Sequence, residues 1–360
     1  MPVTYSGLYE RIISFENLYL AYEDARRGRK EKPEVLAFYA HPEERITTLH
    51  EKLRAHTWEP SPYFEFLSRQ EVKRRVIHAP TFPDRIVHMA LYRVLMPLFE
   101  RKFIFDSYAC RMGKGTWAAV ERAQDFLRRA KREYGTVYVL QGDFAKCYES
   151  IYKPYLMEKL AATIRDRETL ELLELIYYSY NDNLRGIPIG AATSQLAANV
   201  VLDTLDHFAK EILGAKYYLR YMDDFLILGR GKAELWDYLK EIRWLADTTL
   251  KIKLNPKTRV FPAKQGIDFC GYRTWATHIL PRKRNVKAAK RRFKHLTHAF
   301  RRGEIRIEDA QPRVASFLGY MKHCAGRRTT KSTLSHLNLT RGESQHGKNS
   351  TSTGNDHRSK

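Results

Sequence analysis

Tyr217-Tyr218-Leu219-Arg220-Tyr221-Met222-Asp223-Asp224-Phe225-Leu226-Ile227-Leu228 sets two adjacent carboxylates between an aromatic, half-apolar run and a purely apolar one. Val, Ile, Phe and Tyr favour strands, whereas Asp resists strand interiors and suits turns. The stretch therefore reads as a β-hairpin with acids at its tip. Neighbouring carboxylates repel each other, and a hairpin that presents them suits a hard divalent cation held by oxygen ligands. An ordinary solvated Asp-Asp turn is the alternative for an isolated pair, so the surrounding chain has to decide.

Working outward, Thr136-Val137-Tyr138-Val139-Leu140-Gln141-Gly142-Asp143 is a strand leading to an acid. A carboxylate at the exposed end of a sheet is a usual metal ligand in folds of this kind. Gly186-Ile187-Pro188-Ile189-Gly190 makes a fixed turn, and the small residues from Ala191 to Asn199 open a helix that can lie very close to another chain. Either a base pair or a neighbouring helix suits that surface. Ser107 to Thr116 is a glycine-punctuated basic loop without Walker spacing. It reads as backbone contact to a nucleic acid strand or as a plain interlobe turn.

Nearer the start, Tyr63 to Leu67 and Lys73 to Pro80 are strand-like runs able to pair, with Lys73, Arg74 and Arg75 projecting past them. From Asp84 to Phe99 the positions Ile86, Val87, Ala90, Leu91, Val94, Leu95 and Leu98 recur at three and four, which predicts an amphipathic helix entered through Pro83. The first sixty residues suggest helices, with Ser14 as a cap.

Lys and Arg number 63 against 41 Asp and Glu in 360 residues, a formal charge of +22. A polyanion is the first partner to expect, because neutralised phosphates release counterions. A membrane surface competes with that explanation. No apolar run approaches the roughly 18 residues of a spanning helix, and no signal-peptide pattern opens the chain. Cys110, Cys147, Cys270 and Cys324 include no Cys-x-x-Cys pair. They read as buried thiols of a reducing compartment, neither a zinc site nor a disulfide frame.

Asp143 at a strand end, the Gly186 to Gly190 turn running on to Ser194-Gln195, and Tyr221-Met222-Asp223-Asp224 follow the order of reverse transcriptase motifs, and the chain resembles that superfamily over most of its length. The resemblance takes in Arg75 to Leu91, the Ser107 loop, Asn255-Pro256-Lys257-Thr258, and Phe269-Cys270-Gly271-Tyr272, which looks like a primer grip. It implies an α+β right-hand polymerase with fingers, a ferredoxin-like antiparallel palm sheet and a helical thumb. Most members carry Gln before the second glycine and Ser-Pro further on, where this chain has Ile189 and Ser194-Gln195. Those departures, Ser107-Tyr108-Ala109-Cys110-Arg111 and the lack of an appended maturase or endonuclease domain resemble reverse transcriptases of diversity-generating retroelements. Group II intron and retron enzymes are the near neighbours, and a faithful enzyme of that kind is the alternative. A catalytically silent RNA-binding scaffold is a further one, disfavoured by three repelling carboxylates.

The resemblance implies two Mg²⁺ ions, with Mn²⁺ as a substitute, held by Asp143, Asp223, Asp224 and the Phe144 carbonyl. It implies contact to the deoxynucleoside triphosphate by Lys73, Arg75, Tyr148, Ile189, Gly190 and Lys257. Tyr148 would be the gate against a 2′-hydroxyl, and Lys257 the group that protonates pyrophosphate. Ile189, Arg75 and Gln195 would set fidelity. Ile189 lacks the hydrogen bond of a Gln, worth roughly 0.5–1.5 kcal/mol, or about two- to tenfold in discrimination. Implied partners are a structured template RNA, its RNA/cDNA duplex and an oligomeric accessory variability protein, and the implied location is cytoplasmic, the protein being bacterial or phage-encoded.

From Lys283 the chain is strongly basic: Val286, Ala289, Phe293, Leu296 and Phe300 form an apolar stripe, and Lys287, Lys290, Arg291 and Lys294 lie among the cations around it. A thumb helix against a duplex fits, as does a plain surface helix in a basic protein. Together with Arg111 and Lys114 these are the nucleic-acid contacts expected. The expected divisions are 1–135 for an N-terminal extension and fingers, with further fingers elements within 161–185. Residues 136–282 are expected to be mainly palm, 283–326 thumb, and 327–360 a polar tail with little to bury, disordered or ordered by a partner.

Overall fold

Among the described residues nine strands form where aromatic and β-branched residues cluster: β1 (Phe64–Leu67), β2 (Val76–Ala79), β3 (Tyr138–Gly142), β4 (Tyr217–Tyr221), β5 (Asp224–Gly229), β6 (Arg259–Pro262), β7 (Ile267–Phe269), β8 (Tyr272–Thr274) and β9 (Ile279–Pro281). The structure is a computed structural model that describes residues 4–68, 76–181 and 183–340. It divides into a first unit, Met1–Cys270 with Thr274–Thr277, and a second, Gly271–Arg273 with His278–Lys360.

The centre of the first unit is an antiparallel sheet in the order β4-β5-β3-β6. β4 and β5 are the hairpin read from the sequence, closed where Tyr221 pairs with Asp224. Side chains alternate between the two faces of a strand, so a sheet covered on both sides must be apolar on both. Leu140, Tyr218 and Ile227 face the large helical core, whereas Val139, Leu219, Leu226 and Phe261 face the helix Thr116–Tyr134. That core is built from the four helices Leu8–Ile13, Phe15–Arg26, Pro33–Tyr39 and Pro42–Arg54, the helix Phe82–Glu100, the helices between Cys147 and His207, and the helix Lys232–Leu245. Ser14 caps the second of these by accepting from the Asn17 N–H at 3.3 Å. All seven apolar positions predicted between Ile86 and Leu98 are buried.

β1 and β2 pair antiparallel, with Leu67 opposite Val76. The segment joining them, including Lys73 and Arg75, lies outside the described residues.

The second unit has its own core. Ala289, Phe293 and Leu296 of the helix Lys283–Arg301 meet Phe317 and Met321 of the helix Ile307–Lys322. The expectation of a disordered tail from residue 327 is corrected for 327–340, and its remainder, 341–360, lies outside the described residues. Arg327–Leu334 is a helix, and Leu334, Leu337 and Leu339 pack on this core. Thr297 ties the segment down, its hydroxyl donating to the His336 carbonyl (3.2 Å) and accepting from the Asn338 N–H (2.9 Å). Three leucines at close spacing suffice once a ready-made apolar face lies beside them. The second unit also takes in residues ahead of 283, including β9.

Candidate active site

Strand register brings the acids to one end of the sheet. Gly142 pairs with Phe225, so Asp143, the next residue, follows β3 out at the end where Asp223 and Asp224 close the neighbouring hairpin. Glycine is required at 142, because a Cβ there would stand 2.4 Å from Cζ of the Phe225 ring. Any side chain would displace the strand that carries Asp143. On the other side of Asp143 the bridge between Phe144 and Leu254 adds the segment after the helix Lys232–Leu245.

Asn255 fixes Asp143 through both backbone and side chain. Its N–H donates to the Asp143 carbonyl (2.8 Å) and its Nδ2 to Asp143 Oδ2 (3.0 Å), while its Oδ1 accepts from the Lys257 N–H (3.1 Å). One amide thus ties the first acid to the exposed turn bearing Lys257. The sequence shows the Asn255 to Thr258 motif, and only the fold shows what its first residue holds.

The turn between β4 and β5 is held from behind. Met222 has φ 55°, in the left-handed region, and its carbonyl accepts from Arg220 Nη1 at 2.8 Å. Arg220 is 1% exposed and meets Asp206 in a bidentate pair, Nε to Oδ1 and Nη2 to Oδ2, both 2.7 Å. Tyr218 donates to the same carboxylate at 2.5 Å, and Asn199 Oδ1 accepts from Arg220 Nη1 at 3.2 Å. This network was not identified from sequence. Its signal was there: a single Arg inside an otherwise apolar strand demands a buried acid.

Asp203, one turn before Asp206, has Oδ2 3.5 Å from His207 Nε2 and an Oδ1 with no partner among the described residues. Burial, reinforced by Asp206, raises its carboxyl from the ordinary 3.8 to about 7. The folded protein then holds a proton that the unfolded chain has released. This contribution to stability is complete below about pH 4 and is lost as pH rises toward 7. Asp203→Asn is expected to flatten that loss. In urea unfolding the variant should gain more stability at pH 8 than at pH 5, and equal shifts would assign the titration elsewhere.

Tyr148 stands at the acid hairpin, its hydroxyl 3.7 Å from Met222 Sδ, and burial pushes its phenol well above the usual range. Ile189 is half-buried, and its carbonyl accepts from the His78 N–H of β2 at 3.2 Å. Gly190 has φ 120°, and a Cβ there would meet Ile77 Cγ2 at 3.2 Å. The turn is therefore seated on β2 through its backbone. The helix Ala192–His207 that follows is anchored at Thr193, whose hydroxyl lies 2.6 Å from His88 Nδ1 and whose carbonyl accepts from Tyr177. Burial and Arg85 push the His88 imidazole down to about 3, so it is neutral. Gln195 is half-buried in the first turn of the same helix.

One expected nucleic-acid contact, Arg111, is corrected, and a second, Lys114, is engaged within its own loop. Arg111 is buried, its guanidinium spread over Glu100 (2.6–3.0 Å) and the carbonyls of Ile104 and Ser107. Lys114 Nζ turns inward to the Phe105 carbonyl and lies 4.3 Å from the Phe105 ring centroid. Burial there lowers its ammonium to about 8. The start of the loop pairs with the hairpin: Tyr108 N–H donates to the Arg220 carbonyl (3.0 Å) and Arg220 N–H to the Asp106 carbonyl (2.9 Å). A glycine-rich basic loop reads alike whether it faces phosphate or protein, and here the unfilled hydrogen bonds of β4 claim it.

Phe269 is buried and edge-on to Tyr221, with centroids 6.5 Å apart. Cys270 ends the first unit with φ 49°. In the second unit the Gly271 carbonyl accepts from Tyr320 (2.6 Å), and the Tyr272 hydroxyl donates to the Tyr320 carbonyl (3.0 Å). Lys287, Arg291 and Lys294 are exposed, whereas Lys290 donates to Ser332 at 2.9 Å and is half-buried. Lys290 is thus engaged by the helix Arg327–Leu334.

At the acid end of the sheet the donors are carboxylate and carbonyl oxygens, which is the chemistry of a hard cation. Among the described residues no three His, Cys, Asp or Glu side chains form a closed metal-holding cluster. Asp143 Oδ2 accepts from the Asn255 amide. Among the described residues no helix is long and apolar enough to cross a membrane.

Three comparisons with known proteins bear on this site. The chain is 24% identical to protein YkfC of Escherichia coli (strain K12) over 269 residues, covering 63% of this chain and 70% of YkfC. It is 23% identical to the group II intron-encoded protein LtrA of Lactococcus lactis subsp. cremoris, covering 80% of this chain and 59% of LtrA. An apo telomerase from Candida tropicalis is similar in structure, at TM-score 0.48 and 12% identity, over 64% of this chain and 59% of that one. Residues 68–274, more than half of the chain and both acid-bearing segments, match the family model for reverse transcriptase (RNA-dependent DNA polymerase), and the chain belongs to that family.

Proposed function

We propose that the protein copies a template-repeat RNA into cDNA for a diversity-generating retroelement, misincorporating opposite template adenines. The observation that carries the reading is Ile189. A turn seated on β2 by the His78 N–H and by the Ile77 contact at Gly190 presents hydrocarbon where most of the family presents an amide. In this reading Asp143, Asp223, Asp224 and the Phe144 carbonyl hold two Mg²⁺ ions, which supply a more acidic primer hydroxyl and neutralise the leaving oxygen. Arg220 holds the Met222 carbonyl and so orients the acid turn, and Asn255 orients Asp143. Tyr148 bounds the sugar site from the side of Met222 and excludes a 2′-hydroxyl. Lys257 donates a proton to pyrophosphate, and Lys73 and Arg75 grip the triphosphate, Arg with its forked geometry. Gln195 lines the same selecting region. Structured template RNA, deoxynucleoside triphosphates and an accessory variability protein are the partners.

The likeness to LtrA favours a second reading, faithful copying in an intron-like or retron-like element. Ile189→Gln separates the two. Primer extension on RNA with Mg²⁺, with and without the accessory protein, followed by cDNA sequencing, is expected to show errors concentrated opposite adenine. The variant should lower them several-fold, in line with roughly 0.5–1.5 kcal/mol for one hydrogen bond. Accurate cDNA from the unmodified protein would favour faithful copying. An unchanged error spectrum in the variant would remove Ile189 from the explanation, and RNA binding without any cDNA would leave a scaffold.

A further inference from the structure

At the far end of β3 from Asp143 the first unit contains a half-open cavity of about 450 Å³. Tyr138 begins β3 and lines this cavity, so at roughly 3.3 Å per residue the cavity lies about 17 Å along the strand from the acid. It is distinct from the site described above.

Leu127, Val137, Tyr138 and Trp275 supply apolar and aromatic lining. The indole is preformed in place. Its Nε1 donates to the Lys264 carbonyl (3.1 Å), and the ring lies on the backbone of Gly266, where a Cβ would stand 2.4 Å from Cε2. Gln124 and Arg128 hold the carbonyls of Trp275 and Ala276 at 3.2 and 2.9 Å. Lys131, Lys232 and Lys264 line the opening, all three exposed.

A flat apolar group flanked by negative charge complements such a site. Single-stranded nucleic acid offers both parts: any base has a face to stack on an indole, and the flanking phosphates meet the lysines. The excess of 63 cationic over 41 anionic residues draws the same partner. We propose that this cavity takes one unpaired base of a single strand, with the adjoining phosphates on Lys131, Lys232 and Lys264, as a second nucleic-acid contact remote from polymerisation. It holds for a mutagenic and for a faithful enzyme alike.

The test uses the full chain, preloaded with a saturating hairpin primer–template and offered a short single strand carrying 5-iodouridine. Irradiation and peptide mapping are expected to place an adduct on Trp275 or Tyr138. Lys131→Glu with Lys264→Glu, both on exposed side chains, should weaken binding of the strand about tenfold and remove the adduct, with primer extension unchanged. Asp223→Asn should leave the adduct intact, which keeps this result separate from the question of catalysis. An adduct confined to other peptides, or unchanged affinity in the charge-reversed protein, would overturn the proposal. Competition by an acidic aromatic peptide as strong as that by the oligonucleotide would also overturn it, in favour of a protein partner.

Discussion

Asp223→Asn is expected to abolish primer extension while leaving the fold and RNA binding in place. Asp223 sits in the turn between β4 and β5, outside the strand ladder, so the amide fits the same space. Replacing a carboxylate by an amide removes the charge that would hold a divalent cation. A loss of several kcal/mol in transition-state stabilisation corresponds to on the order of a thousandfold or more in rate. Single-turnover extension with excess enzyme measures this directly. Residual activity within tenfold of the unmodified protein would show that Asp223 is not a required ligand.

Asp206→Ala should produce the largest loss of stability of any single substitution considered. The Asp206 carboxylate is fully buried and meets Arg220 in two bonds of 2.7 Å and Tyr218 in a third of 2.5 Å. Removing one partner of a buried pair leaves the other charge in a medium that cannot solvate it, at a cost of about 3–5 kcal/mol. Arg220 also supports the Met222 carbonyl, so the acid turn should loosen with the core. Denaturant unfolding gives the stability, and extension by the surviving folded fraction gives the turn. A shift of under 1 kcal/mol would mean that Arg220 finds another partner or water. Asp206→Asn, which keeps shape and one acceptor, should fall between the two.

Both expectations concern one hairpin, which makes it instructive how differently its parts read. Asp223 and Asp224 were recognisable because turn chemistry is local: two acids between strand formers have few other places to go. Arg220, three residues earlier, carried a signal without an answer. A cation in an apolar strand requires a partner, yet neither strand nor turn names which of 41 acidic residues supplies it. Basic residues near glycines suit phosphate, so Arg111 and Lys114 read from sequence as nucleic-acid contacts. The fold instead set Arg111 against Glu100 and folded Lys114 over Phe105.

What the sequence determined by itself follows from short-range periodicity and backbone stereochemistry. The hairpin, the strand running into Asp143, the helix burying Ile86 to Leu98 and the rigid Gly186 to Gly190 turn each depend on neighbours within one element. Tertiary structure alone decided what depends on partners far apart in the chain. It brought Asn255 to Asp143 across 112 positions, set Thr193 on His88 across 105, and gave the leucines after Arg327 a core on which to order. The physical reason is that a charged or amide side chain has no fixed fate of its own. Whether it meets solvent, phosphate or a buried counter-charge depends on which groups the packed backbone places within about 3 Å.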